Sequence, residues 1–263
     1  MYYYITYRGD NMITISLINI KGGVGKTMTT INLAGELSGH GKVLVIDNDS
    51  QSSLTQILDV DSEYKMLDLY LNKKVTFDDC ITEFKPNISI VCNSIESAVV
   101  ERQLYSKKSR ETILNAKFKK MESEFDFVLI DNSPFLGSCV DNSLVMSDYY
   151  IEIIDDSTSA LQGLQMVQNA VDELEETGLS NIQLLGILRN GYEKVSNYGK
   201  QFNEALNDIL TDKLFDTVIY KSVKYKEATA QHKLIQEYSG EHAVPYMALC
   251  TEILKRVGVY YEE

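Results

Sequence analysis

Lys21 to Thr27 reads KGGVGKT, preceded by an apolar run from Ile13 to Ile20 and followed by a helical pattern. Gly22, Gly23 and Gly25 allow a turn that L side chains resist, and they let several backbone N–H groups face one point. The start of the following helix adds its partial positive charge there. A strand, a glycine-rich turn and a helix in that order make a cradle suited to a chain of phosphates.

The general P-loop pattern, G-x-x-x-x-G-K-S/T, wants glycine where Ile20 stands, and a second lysine, Lys21, comes next. In that pattern Lys26 reaches the β- and γ-phosphates and the Thr27 hydroxyl ligates Mg²⁺. KGGVGKT with its early lysine resembles the deviant Walker A box of the ParA/MinD group of P-loop ATPases, which includes plasmid and chromosome partitioning proteins. The resemblance implies that ATP and Mg²⁺ bind here, with Lys21, Gly22, Gly23, Val24, Gly25, Lys26, Thr27 and Met28 around the nucleotide. It also implies that Lys21 reaches the nucleotide of the other subunit in an ATP-dependent homodimer.

Two acidic strand tips lie downstream. VLVIDNDSQSS, from Val43, is similar to the family's second box, D-x-D-P-Q, with Ser50 in place of proline. By that similarity Asp49 orients the attacking water and Asp47 sits nearer the Mg²⁺ shell. The other use for these carboxylates is to cap a helix starting near Ser52. FDFVLIDNSP, from Phe125, has the Walker B form, which places Asp131 at the Mg²⁺. A further strand from Asn181 ends near Arg189 and Asn190, and the resemblance carries an adenine contact over to Asn190.

Around these sites the pattern alternates. Strands are expected at 42–46, 87–91, 125–131, 148–154, 181–188 and 216–219, and helices at 28–39, 66–71, 77–82, 97–105, 110–121, 198–210 and 243–257. This is an α/β chain with one doubly wound, mostly parallel sheet covered by helices on both faces. Residues 1–11 are set apart as an extension of unknown role, and 12–263 form the ATPase domain.

Composition narrows the function classes. At 263 residues the chain can bury a sizeable core. It has no apolar run of about 18 residues and no secretory pattern at its start, so a cytoplasmic location is expected, with association to the nucleoid when ATP is bound. Four scattered cysteines without a C-x-x-C pair fit reduced, packed thiols rather than disulfides, zinc or an iron–sulfur centre like that of the nitrogenase iron protein. A net charge of −13 argues against DNA binding by the whole surface, so any DNA contact is local.

The family resemblance implies a partitioning ATPase whose ATP-bound dimer binds double-stranded DNA without sequence preference and whose hydrolysis is stimulated by a ParB-like adaptor. Residues 189–226 hold the basic candidates for the DNA surface, Arg189, Lys194, Lys200, Lys221, Lys224 and Lys226. Lys117, Lys119 and Lys120 are the next candidates, and otherwise read as a solvated helix face. The alternative is a MinD-like positioning ATPase cycling on membranes. It would need a basic amphipathic C-terminal helix, hinted at by Ile253 to Val257, but the chain ends acidic and no stable membrane association is expected.

Overall fold

Three fully buried strands form the middle of the sheet. β1 (Ile13–Ile18), β2 (Val43–Asn48) and β5 (Phe127–Asn132) are buried at every position, as strands covered on both faces must be. The computed structural model describes residues 12–193, 206 and 208–259. The extension 1–11, most of the helix expected at 198–210, and Lys194 and Lys200 lie outside the described residues.

The remaining strands are β3 (Ile81–Lys85), β4 (Ile88–Val91), β6 (Tyr149–Ile154), β7 (Gln183–Tyr192) and β8 (Leu214–Tyr220). The order across the sheet is β3-β4-β2-β5-β1-β6-β7-β8, with every neighbouring pair parallel except β3–β4. β1 sits between β5 and β6, so the loop that leaves it opens among the carboxyl ends of its neighbours. That is where open α/β sheets place their ligands.

The helices are α1 (Lys26–Leu37), α2 (Ser53–Leu58), α3 (Met66–Leu71), α4 (Phe77–Cys80), α5 (Val100–Leu104), α6 (Ile113–Phe118), α7 (Ser138–Met146), α8 (Ala160–Glu176), α9 (Val223–Thr229), α10 (Ile235–Tyr238) and α11 (Gly240–Arg256). Ile15, Leu17, Val45 and Leu129 pack with Leu33 and Leu37 of α1 and Leu249 and Ile253 of α11 on one face. Leu44, Ile46, Val128 and Ile130 meet Leu69, Leu104 and Leu114 on the other. Each such fully buried side chain contributes about 1.5–3 kcal/mol by leaving water.

The helix expected at 77–82 stops at Cys80, and the chain continues as β3, a strand absent from the sequence reading. A capping box at Thr76 and Asp79 starts α4, then Ile81, Thr82 and Phe84 favour extended backbone. Pro86 and Asn87, the latter at φ 63°, turn the chain back into β4.

The C-terminal helix is committed to the sheet. Ile253 and Leu254 of α11 are fully buried. The Glu252 carboxylate accepts from the backbone N–H of Asp216 and of Thr217, each at 2.8 Å. Arg256 donates to the carbonyls of Leu185 and Leu214 and stacks on Phe215, 4.3 Å from the ring centre. The apolar stripe hinted at in the sequence therefore belongs to the core, which counts against a membrane-binding role. Among the described residues no helix is long and apolar enough to cross a membrane.

Candidate functional site

The loop between β1 and α1 takes its shape from two positive φ angles and two asparagines. Gly23 lies at φ 80° and Gly25 at φ 92°. The Asn19 side chain accepts from the Lys21 backbone N–H at 2.6 Å and donates to the Ile153 carbonyl at 2.7 Å, tying the start of the loop to β6. From the far side Asn190 Nδ2 donates to the Val24 carbonyl at 2.5 Å. A Cβ on Gly25 would lie 2.0 Å from that same nitrogen, so both the backbone angle and the close approach demand glycine there.

The two lysines of the heptad behave differently. Lys26 is buried, and its ammonium donates to the carbonyls of Asn19 at 3.1 Å and Lys21 at 3.4 Å, curled over the loop it follows. Burial lowers its pKa, against the pull of the Asp131 and Asp49 carboxylates. Lys21 is more exposed and pairs with Asp155, beyond the tip of β6.

The acidic tips meet because β2 and β5 are neighbours, with Asp47 beside Asp131 and Asn48 beside Asn132. Asp47 Oδ2 accepts from the Thr55 backbone N–H at 2.9 Å and the Thr55 hydroxyl at 2.6 Å, so it holds the first turn of α2. The helix-capping use read from the sequence is thus seen at Asp47, which also stands beside Asp131 at the strand tip. Burial pushes its carboxyl up to about 6. Asp49 is less buried; its Oδ1 accepts from the Gln51 N–H at 2.9 Å, and its carbonyl accepts from Asn93 Nδ2 at 3.0 Å.

Asp131 is 1% exposed, and neither carboxylate oxygen has a hydrogen-bond partner. Burial, and then the neighbouring Asp47 carboxylate, push its pKa well up, while the Thr27 hydroxyl and the Lys26 ammonium oppose them. A buried carboxyl left in this state costs several kcal/mol unless a cation neutralises it. Asp131, Asp47 and the Thr27 hydroxyl are hard oxygen donors, the set that Mg²⁺ takes together with water and phosphate oxygens. The residues present therefore fit that ion.

The basic candidates do not form one exposed surface. Arg189 is 5% exposed and donates to the Phe215 carbonyl at 2.7 Å, so it is a packing residue and the expectation of DNA contact fails for it. Lys221 faces Glu193 at 3.2 Å, and Lys224 pairs with Glu227 at 2.8 Å. Lys221 and Lys226 line a cleft of about 560 Å³ together with Gly25, Met28, Asn190 and Tyr225. The cleft opens beside the loop and is large enough for a nucleobase. Of the reserve candidates, Lys117 spends its ammonium on the Asn72 and Val75 carbonyls, each at 2.7 Å, where a solvated face was expected.

Asn19, Asn48, Asn132 and Asp155 were missed as site residues in the sequence. Asn48 and Asn132 each adjoin an acid of a recognised box, which is the signal that could have found them. Asp155 pairs with Lys21, 134 residues away, and carries no local signal, whereas Asn19 bonds the Lys21 N–H two residues on as well as the distant Ile153 carbonyl.

Residues 12–185 match the family described as AAA domain. The chain is similar to the sporulation initiation inhibitor protein Soj of Bacillus subtilis, 29% identical over 245 residues that cover 91% of this chain and 97% of Soj. It is 25% identical over 248 residues to the chromosome partitioning protein ParA of Myxococcus xanthus, covering 92% of this chain and 88% of that protein. Among solved structures, McdA from Cyanothece in complex with ATP superposes with a TM-score of 0.84 at 23% identity, covering 97% of this chain and 100% of McdA. A putative plasmid partition protein from Borrelia burgdorferi bound to AMPPNP gives 0.82 at 20% identity, covering 94% and 100%. At these identities the solved structures speak for the fold.

Proposed function

The chain belongs to the AAA domain family as a ParA-type P-loop ATPase, and from that premise we propose that it hydrolyses ATP to drive the partitioning of DNA. The backbone N–H groups of Gly22 to Thr27 and the Lys26 ammonium bind the triphosphate, and the base lies in the cleft beside Met28 and Asn190. Thr27 and Asp131 hold Mg²⁺, with Asp47 next to them. Held there, Mg²⁺ would supply positive charge against the phosphate oxygens. Asp49 orients the attacking water. Lys21 exchanges Asp155 for the nucleotide of a second subunit and closes an ATP-dependent dimer.

In this reading the dimer binds duplex DNA through Lys221, Lys224 and Lys226, and a ParB-like adaptor accelerates hydrolysis and release. The protein works in the cytoplasm and on the nucleoid. One observation carries the nucleotide assignment. Both oxygens of the buried Asp131 lack a partner, at the strand tip beside Thr27 and Lys26.

The test is release of phosphate from ATP by the purified protein with Mg²⁺, alone and with duplex DNA and a ParB-like protein. Slow turnover is expected alone and faster turnover with both additions, while Lys26→Ala loses nucleotide binding. Absence of Mg²⁺-dependent nucleotide binding by the wild type would overturn the reading.

A further inference from the structure

Beneath the acidic tips, on the opposite face of the sheet, lies a chain of buried amides. Asn48 and Asn132 are neighbours in register, 4% and 1% exposed. Asn48 Nδ2 donates to Asn132 Oδ1 at 2.9 Å and to the Cys139 carbonyl, at the start of α7, also at 2.9 Å. Asn132 Nδ2 donates to the Leu17 carbonyl on β1 at 3.2 Å. The Tyr70 hydroxyl of α3 donates to Asn48 Oδ1 at 2.9 Å. Either amide turned over would set like groups against each other, so the partners fix one arrangement.

The pair stands one residue beyond Asp47 and Asp131, two like charges side by side on adjacent strands. These two buried carboxyl groups are poorly solvated and stand side by side, so their relative position depends on the contacts that join the strand tips. Beyond the β2–β5 ladder, the Asn48–Asn132 bond is a side-chain contact that joins the two tips, and it is anchored to β1, α3 and α7. Apolar residues at both positions could make no bond across the strands and so could not fix the height of one tip against the other.

We propose that Asn48 and Asn132 are positioning residues that hold the Asp47 and Asp131 carboxylates at the spacing a divalent cation requires. The inference rests on the nucleotide-site reading above and adds the residues that preset its metal position. It accounts for an asparagine beside the acid in both boxes, where packing alone would accept any buried side chain.

The test uses the full-length protein loaded with ATP and titrated with Mn²⁺, followed by electron paramagnetic resonance. Asn48→Leu, Asn132→Leu and the double variant are compared with the wild type. Affinity for a fluorescent ATP analogue in EDTA is measured in parallel. Each single variant should weaken Mn²⁺ binding by about tenfold or more, the scale of lost outer-shell support, while binding in EDTA changes by less than about twofold. The loss in the double variant should be less than the product of the two single losses, because the shared Asn48–Asn132 bond is already gone in each single variant.

Unchanged Mn²⁺ affinity in folded variants overturns the proposal. So does an equal loss in EDTA, which would mark general collapse of the site. If the leucine variants fail to fold, Tyr70→Phe removes one donor from the chain and keeps the ring; Mn²⁺ affinity equal to wild type in that variant also overturns it. A wild type that binds the analogue in EDTA but gains nothing from Mn²⁺ would sink the metal assignment itself, a result distinct from variants that match a responsive wild type.

Discussion

Lys21 and Asp155 form an ion pair within one chain, joining the first residue of the glycine-rich heptad to the end of β6. Ser157 holds the same carboxylate, its hydroxyl donating at 2.6 Å, so Asp155 is a prepared seat for the lysine. Burial raises the Asp155 pKa, but Lys21 and Ser157 outweigh it and leave the carboxyl below its usual range. The lysine side chain is 44% exposed, and pairs this open are worth about 0.2–1 kcal/mol, little enough to be exchanged for a phosphate.

Lys21→Ala should therefore fold normally, with a stability change below about 1 kcal/mol, and bind nucleotide as a monomer. It should fail to dimerise with ATP, whereas Lys26→Ala should weaken nucleotide binding itself. Light scattering with and without ATP separates the two. ATP-dependent dimerisation of Lys21→Ala at wild-type strength would show that the lysine serves its own chain only.

Asp49→Ala should lose most turnover, a factor of about 100 or more, and keep its affinity for ATP. In the proposed reading the loop and Lys26 hold the phosphates without help from Asp49, whose Oδ1 contacts only the Gln51 backbone among the hydrogen bonds seen. The variant should accumulate as an ATP-bound dimer. Turnover equal to wild type would remove Asp49 from the reaction.

Lys221→Glu combined with Lys224→Glu should abolish ATP-dependent binding to nonspecific duplex and leave ATP dimerisation intact. In the wild type, log affinity should fall by about 0.9 per log unit of salt for each phosphate neutralised. Lys221 also lines the cleft beside the loop, so nucleotide affinity is measured alongside. Retained DNA binding with an unchanged salt slope would move the surface elsewhere, with Lys119 and Lys120 next to be tested.

Glu152 is 3% exposed in the middle of β6, one of its oxygens lacks a hydrogen-bond partner, and burial pushes its carboxyl up to about 8. Unfolded, the same group titrates near about 4.3. Between those values the folded chain keeps a proton that the unfolded chain has lost. Stability is therefore greatest below the lower value and falls as pH rises towards the upper, by at most about 1.4 kcal/mol per pH unit. Glu152→Gln stays neutral throughout, so its advantage over wild type should grow by roughly 1–3 kcal/mol between pH 5 and pH 8. Urea denaturation at the two pH values checks this. Parallel pH dependences would mean that Glu152 ionises within the fold at little cost.

Much of the architecture was legible because it is written in short-range patterns. Glycines at the two positive φ angles, the lysine and threonine opening a helix, and acids ending apolar runs are each local, and the structure places them at the ends of β1, β2 and β5. β3 escaped notice because its five residues follow a capped helical turn, and its extended form is settled by pairing with β4. Arg189 read as a surface cation for a similar reason: its burial depends on Phe215, 26 residues further on, coming to lie beside β7.

By itself, then, the sequence determined that a strand feeds a glycine-rich turn and that two later strands end in carboxylates, since these depend on neighbours a few residues apart. Only the tertiary structure decided which strands are adjacent, and with that the facing of Asp47 and Asp131, the seat of Lys21 on Asp155, and the hold of Asn190 on a loop 166 residues away. Strand order is a matter of packing helices on both faces of a twisted sheet. No single segment carries that information, because each contact gains its free energy only once the whole core has closed around it.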